Sequence, residues 1–237
     1  MHKIPLLFKR EGKYAIPEIN PPAAWVLEEV TIAHRKYDGT AMMFDGYNWW
    51  VRRQVGPDKT SPPGFVEVEH DPNTNKIFGW DPVSISGFFE FWKEALAQRP
   101  LDCDILDLRN SVYEPGTYEL LGPKINGNPE KLKNHRLMPH NRAQQLGDIQ
   151  FLELDLVQSV EQAYDDLRKV LAYLPIEGIV FKDQKQEKMA KLRRKDFNFE
   201  KEELNARVQE SRERERGFLS DVFKREGNDW QTPGVQR

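Results

Sequence analysis

The chain's 237 residues suffice for one domain of ordinary depth with an appendage and are too few for several full-sized domains. Its 38% hydrophobic content argues against disorder of the whole, and a net charge of −3 lacks the field of a general polyanion binder, so any nucleic-acid contact must be local. The single cysteine, Cys103, excludes an intrachain disulfide. The apolar patch at residues 6–8 is too brief for a signal segment or a membrane span, so a cytoplasmic protein with no membrane association is expected.

In chain order, residues 1–30, with Pro5, Pro17, Pro21 and Pro22, read as an irregular lead-in, and 25–36 as an extended segment. Residues 40–44 and 47–55 are rich in β-branched, aromatic and methionine side chains and flank Asp45-Gly46, a strong signal for a two-residue hairpin loop. Such a loop pairs Phe44 with Tyr47 and, counting outward, Gly39 with Arg52 and Asp38 with Arg53. Residues 58–83, with Pro62, Pro63, Pro72 and Pro82 among Asp, Asn, Gly and Thr, read as a long loop or insertion. Residues 87–97 pattern as a helix, 102–107 and 116–121 as short strands.

Ser159 and Gln162 make a capping-box start for a helix carried by Val160, Ala163, Tyr164, Leu167, Val170, Leu171 and Leu174 and stopped by Pro175. Residues 179–181 read as a strand, with a second extended piece around Lys191. From about Asn198 acidic and basic residues alternate with few apolar ones. This divides the chain into a folded domain, 1–197, and a charged helical tail, 198–237.

Four segments carry residues suited to chemistry. Lys36-Tyr37-Asp38-Gly39 sets a lysine at the junction of a strand and the hairpin. A lysine amine attacks phosphorus only when neutral, so a site that uses it must surround it with other cations or bury it. Either Arg52 or Arg53 can supply such a cation, and Arg52 is preferred. Gly116-Thr117-Tyr118-Glu119-Leu120-Leu121 carries one glutamate into a glycine-proline turn. Glu177-Gly178-Ile179-Val180-Phe181-Lys182 opens with a carboxylate and ends in a lysine. In Lys191-Leu192-Arg193-Arg194-Lys195, alternation sets Lys191, Arg193 and Lys195 on one strand face, a cationic row that suits a triphosphate. Taken singly, these are an exposed turn, a surface strand, an ordinary strand and a solvated charge run; their order and combination point further. Strict alternation separates Glu177 from Val180 and Lys182, so Glu177 must sit at a bend to share their pocket.

Together these segments resemble the covalent nucleotidyltransferase superfamily of DNA ligases, RNA ligases and mRNA capping enzymes over about 36–197. Gly122-Pro123-Lys124-Ile125-Asn126-Gly127-Asn128-Pro129 and His135-Arg136-Leu137-Met138-Pro139-His140 narrow the resemblance to the vertebrate-type 5′-to-3′ ATP-dependent RNA ligase family and its microbial relatives. The resemblance implies an α+β fold, a ligase adenylation domain of antiparallel sheets flanked by helices. It implies that Lys36 becomes lysyl-AMP, that Asp38 and Gly39 shape the nucleotide pocket, and that Glu119 serves the ribose or a metal. Glu177 matches a metal-associated glutamate and Val180 an apolar residue that packs on the purine, with Lys182 on Val180's face. Lys191 matches the lysine on the α-phosphate. Arg193 stands at a position commonly lysine, which keeps the charge and changes its shape.

The implied activity uses ATP and Mg²⁺ or Mn²⁺ to join RNA 5′-phosphate and 3′-hydroxyl ends, a role in RNA repair, and no protein partner is inferred. Two rival readings are a GTP-using capping-type guanylyltransferase and a non-catalytic nucleotide- or RNA-binding protein. The forty or so residues after Phe197 are too few for the five-stranded barrel that capping enzymes append. His34, His135 and His140 lack ligand spacing and read as structural or surface residues, with no zinc assigned.

Overall fold

The computed structural model describes residues 3–98, 113–143, 146 and 159–199. The expected strand at 102–107 and nearly all of the expected tail lie outside the described residues. The strands are β1 (Phe8–Glu11), β2 (Tyr14–Ile19), β3 (Thr31–Lys36), β4 (Thr40–Phe44), β5 (Trp49–Val55), β6 (Val66–Asp71), β7 (Lys76–Pro82), β8 (Gly116–Leu121), β9 (Arg136–Pro139), β10 (Gly178–Asp183) and β11 (Met189–Arg193). The helices are α1 (Trp25–Glu28), α2 (Phe89–Leu96) and α3 (Val160–Tyr173). Mostly antiparallel sheets with few helices make this an α+β protein. Among the described residues no helix is long and apolar enough to cross a membrane.

β1 and β2 pair alone, β11, β10 and β3 form a three-stranded sheet, and β6, β7, β5, β4, β8 and β9 form a six-stranded one, in those orders. Each larger sheet buries one face against its own helix. In the three-stranded sheet Ile179, Phe181, Ala190 and Leu192 point to a core shared with Leu167 and Leu171 of α3 and with Leu7, Phe8 and Trp25. In the six-stranded sheet Met42, Val51, Tyr118, Leu120 and Leu137 pack with Ala95 of α2. Because successive strand residues alternate, the opposite faces carry Val180, Lys182, Lys191 and Arg193 in one sheet and Ala41, Glu119 and Met138 in the other. A path of contacts joins these two faces: Lys182 Nζ donates to the His140 carbonyl at 3.1 Å, and His140 Nε2 contacts Glu119 at 2.8 Å. They bound a cleft.

Several expectations are corrected. The hairpin loop has four residues, with Phe44 opposite Trp49 and Met42 opposite Val51. The Asp45 carboxylate accepts from Tyr47 N at 2.8 Å, Asn48 N at 2.6 Å and Trp50 Nε1 at 2.8 Å, and this wider side-chain turn replaces the two-residue one. The register moves by two, so Arg52 comes level with Ala41 rather than Gly39, and each side chain keeps its face.

Residues 58–83 are not a loop throughout but contain the β6–β7 hairpin, and β7 pairs with β5. The prolines that suggested a loop stand before β6, in the turn and at the end of β7, where no ladder hydrogen bond is lost. The lead-in likewise holds the β1–β2 hairpin, and Trp25–Glu28 is helical, which lets the adjacent Trp25 and Val26 both reach the core. α3 ends at Tyr173, with Leu174 as its cap, and at its start the Ser159 side chain accepts from Gln162 N at 3.3 Å. Packing continues past 197, since Phe199 lies on the α3 core.

Candidate functional site

Lys36 is the last residue of β3, in the three-stranded sheet, and Thr40 is the first of β4, in the six-stranded sheet. The Tyr37-Asp38-Gly39 segment is therefore the crossover between the two sheets, and Lys36 stands at its start. In the three-stranded sheet Lys36, Gly178 and Arg193 lie in one row, and His34, Val180 and Lys191 two residues along, in the next row on the same face. Gly178 is required by close approach: a Cβ there would meet the Leu192 carbonyl oxygen at 2.2 Å.

The crossover is clamped from both sides. Gly39 N donates to Glu119 Oε1 at 3.1 Å, while Asn126 Nδ2 donates to Gly39 O at 2.8 Å and to Asp38 Oδ1 at 2.9 Å. A Cβ at Gly39 would come within 2.4 Å of the Leu120 carbonyl oxygen, so only glycine lets the loop lie this close to β8. Asn126 has φ +45°, and Lys124, Asn128 and Lys131 around it are also left-handed. Such a density of non-glycine residues in this region marks a segment held by its surroundings. Glu130 of the same segment ties back to Arg35 at 2.6 Å.

Glu177 lies just before β10, and its carboxylate forms an ion pair with Lys36 Nζ. The bend that Glu177 needed to share the pocket is present. Burial pushes the Glu177 carboxyl up, and the Lys36 ammonium offsets this in part. Lys191 is pulled down to about 8, first by burial, then by the Arg193 guanidinium and the Lys36 ammonium. Arg193 and Lys36 thus act on Lys191 by repulsion, opposed in part by Asp196, while Glu177 pairs with Lys36 and Asp196 with Arg193.

Other expected site residues have different surroundings. Arg193 sends its guanidinium to Asp196, at 2.7 and 3.1 Å, and Asp196 is also held by Arg10. Lys195 does not continue the row: β11 ends at Arg193, and a 3-10 turn at Arg194–Asp196, fixed by Asp196 accepting Arg193 N at 2.8 Å, turns it out to solvent. Lys182 is buried and pulled down by desolvation. Arg52 and Arg53 occupy opposite faces of β5. Arg53 pairs with the buried Asp81 at 2.8 Å, and Arg52 lies over the Trp80 and Phe78 rings at 5.4 and 5.7 Å, on the face shared with Glu119.

Among the described residues no group of three or more His, Cys, Asp or Glu side chains could hold a metal ion. Glu177, beside Lys36, fits a cation ligated mainly by substrate phosphates and water, as Mg²⁺ commonly is. Both Glu119 oxygens already accept from N–H donors, so Glu119 fits that role less well. Asn126 and His140 were legible as parts of motifs, but not their contacts, which reach 88 and 21 residues along the chain. No protein-family model matches the chain, and a search of curated proteins likewise gives no match.

Proposed function

We propose that this chain is an ATP-dependent RNA ligase of the covalent nucleotidyltransferase class, built on a ligase-type adenylation domain. The observation that carries this reading is the convergence of four segments, far apart in sequence, on one lysine. Lys36 pairs with Glu177 and adjoins Lys191, and its crossover rests on Glu119.

Lys36 Nζ, once deprotonated, attacks the α-phosphorus of ATP. A phosphoramidate bond forms and pyrophosphate leaves. An RNA 5′-phosphate oxygen then attacks that phosphorus, the lysine leaves, and the 5′ end carries AMP. Finally an RNA 3′-hydroxyl attacks the 5′-phosphorus and expels AMP. Each transition state gathers negative charge on phosphoryl oxygens, which Lys191 is suited to stabilise. Arg193 adds to the local positive field, although Asp196 shares its guanidinium. Glu177 accepts from the Lys36 ammonium and can draw its proton away from the attacking lone pair. A divalent cation held beside Glu177 would neutralise phosphate charge.

Purified protein incubated with α-labelled ATP or GTP and Mg²⁺, then run on a denaturing gel, tests the reading. The expected result is a label from ATP that survives denaturation and is lost in Lys36→Ala, with adduct formation down by at least about 10³-fold, the scale of losing a covalent nucleophile. Label from GTP would move the chain to the guanylyltransferases. No label, or label indifferent to Lys36, would leave a nucleotide-binding protein.

A further inference from the structure

We propose that His140 is a positioning residue that fixes the Glu119 carboxylate for a ribose hydroxyl of the bound nucleotide; this rests on the nucleotidyltransferase reading above. Glu119 projects from the middle of β8 into the cleft, where a glutamate side chain is otherwise free to rotate about several bonds. Two donors remove that freedom. Gly39 N holds Oε1 at 3.1 Å, and His140 Nε2 holds Oε2 at 2.8 Å. A carboxylate only accepts, so in this contact Nε2 carries the hydrogen. Nδ1 is buried and has no partner among the described residues, so the side-chain hydrogen bonding of the ring goes to Glu119.

The ring is itself held. His140 opens the 3-10 turn that follows β9, and its carbonyl accepts from Lys182 Nζ of β10 at 3.1 Å. His140 therefore spans the cleft, linking a cation of one sheet to the carboxylate of the other. Each Glu119 oxygen keeps one lone pair after these bonds, which is what a carboxylate needs to accept from a sugar hydroxyl. The motif that ends in His140 gains a role that composition alone did not provide.

The test compares labelling of Lys36 by ATP, 2′-deoxy-ATP and 3′-deoxy-ATP in the full chain and in Glu119→Ala, His140→Met and His140→Gln. His140→Ala is held as a second donorless variant, and thermal unfolding establishes that each is folded. A site built to bind a hydroxyl should favour ATP over one deoxy analogue by about 10-fold or more. Glu119→Ala and His140→Met should lose that preference to within about 3-fold of each other, and the double variant should lose no more, because both act on one interaction. His140→Gln, which retains a donor of similar reach, should keep most of it.

A folded donorless variant with the wild-type sugar preference would overturn the proposal. So would a rate loss equal for all three nucleotides, a wild type indifferent to both hydroxyls, or failure of both donorless variants to fold. Absence of any label on the wild type would instead remove the parent reading, and this proposal with it, which keeps the two failures apart.

Discussion

The three-stranded and six-stranded sheets turn different chemistry toward the cleft, although both bury alternate residues against a helix. The three-stranded sheet presents Lys36, Lys191 and Arg193 in alternate rows of one face, and burial with repulsion from Arg193 and Lys36 pulls Lys191 down. The six-stranded sheet presents Glu119, anchored by two N–H donors, and Arg52 stacked over Trp80. One wall concentrates cations, two of them already paired with Glu177 and Asp196, and the other is a set of oriented groups. A concentration of positive charge stabilises an anion, while oriented acceptors select a shape, so the proposed division is phosphate on one wall and sugar on the other.

The most direct way to break this comparison is to remove the charge of the first wall. Lys191→Met should slow adduct formation on Lys36 by about 10²-fold, the scale of losing one preorganised donor to a developing oxyanion. The same change should not lower the unfolding temperature, since it removes a buried ammonium that desolvation disfavours. Labelling rate and thermal unfolding on one preparation give both signs. A variant that labels normally would deprive the cationic wall of its proposed task.

The second wall can be sharpened with its two arginines. Arg53→Ala should cost about 1–3 kcal/mol of stability, because Asp81 is left buried without its partner, and it should leave the labelling rate of the folded fraction unchanged. Arg52→Ala should instead raise the ATP concentration for half-maximal labelling by about 10-fold, comparable to losing one charged contact. Denaturant unfolding with nucleotide titration separates the pair. Exchanged outcomes would reverse the face assigned to each.

These two arginines also show what sequence reading could reach. Alternation along 49–55 requires neighbours to face opposite ways, so only one of them could enter the cleft, and that much is local information. The register was not local: Asp45 captures three donors and lengthens the turn, a preference that the Asp45-Gly46 pair conceals. β6 and β7 were missed because proline was weighed by number rather than by position in a strand. Lys36, Glu119, Glu177 and Lys191 were picked out by the order of their motifs and by the resemblance, and the structure brings them near one another through strand pairing and contact. Asn126 and His140 act through contacts that only the assembled sheets create. Lys195 was misassigned because strand alternation was extended through a turn that Asp196 closes.

Asn126 yields a smaller effect than Lys191 and one no larger than Arg52. Asn126→Ala removes both donors to the crossover, and labelling should fall by about 10-fold, as expected for a group that orients the reacting segment without touching phosphate. Asn126→Asp should be no better, since a carboxylate cannot donate to Gly39 O. If Asn126→Ala labels at the wild-type rate, the crossover is held by Glu119 alone.

A pH dependence confined to the cationic wall is expected as well. Lys191 titrates at about 8 in the folded protein and near 10.5 when unfolded. Between those values the unfolded chain binds a proton that the folded one does not, so stability rises with pH there, by at most about 1.4 kcal/mol per pH unit. Below about 8 both states are protonated and the full desolvation penalty of Lys191 remains. Other lysines and tyrosines titrate in the same window, so the quantity to measure is the unfolding free energy of wild type minus that of Lys191→Met across it. That difference should climb with pH. A flat difference would mean that Lys191 keeps its ordinary affinity for a proton, and that the cations of the three-stranded sheet do not act on one another strongly enough to call for a phosphate.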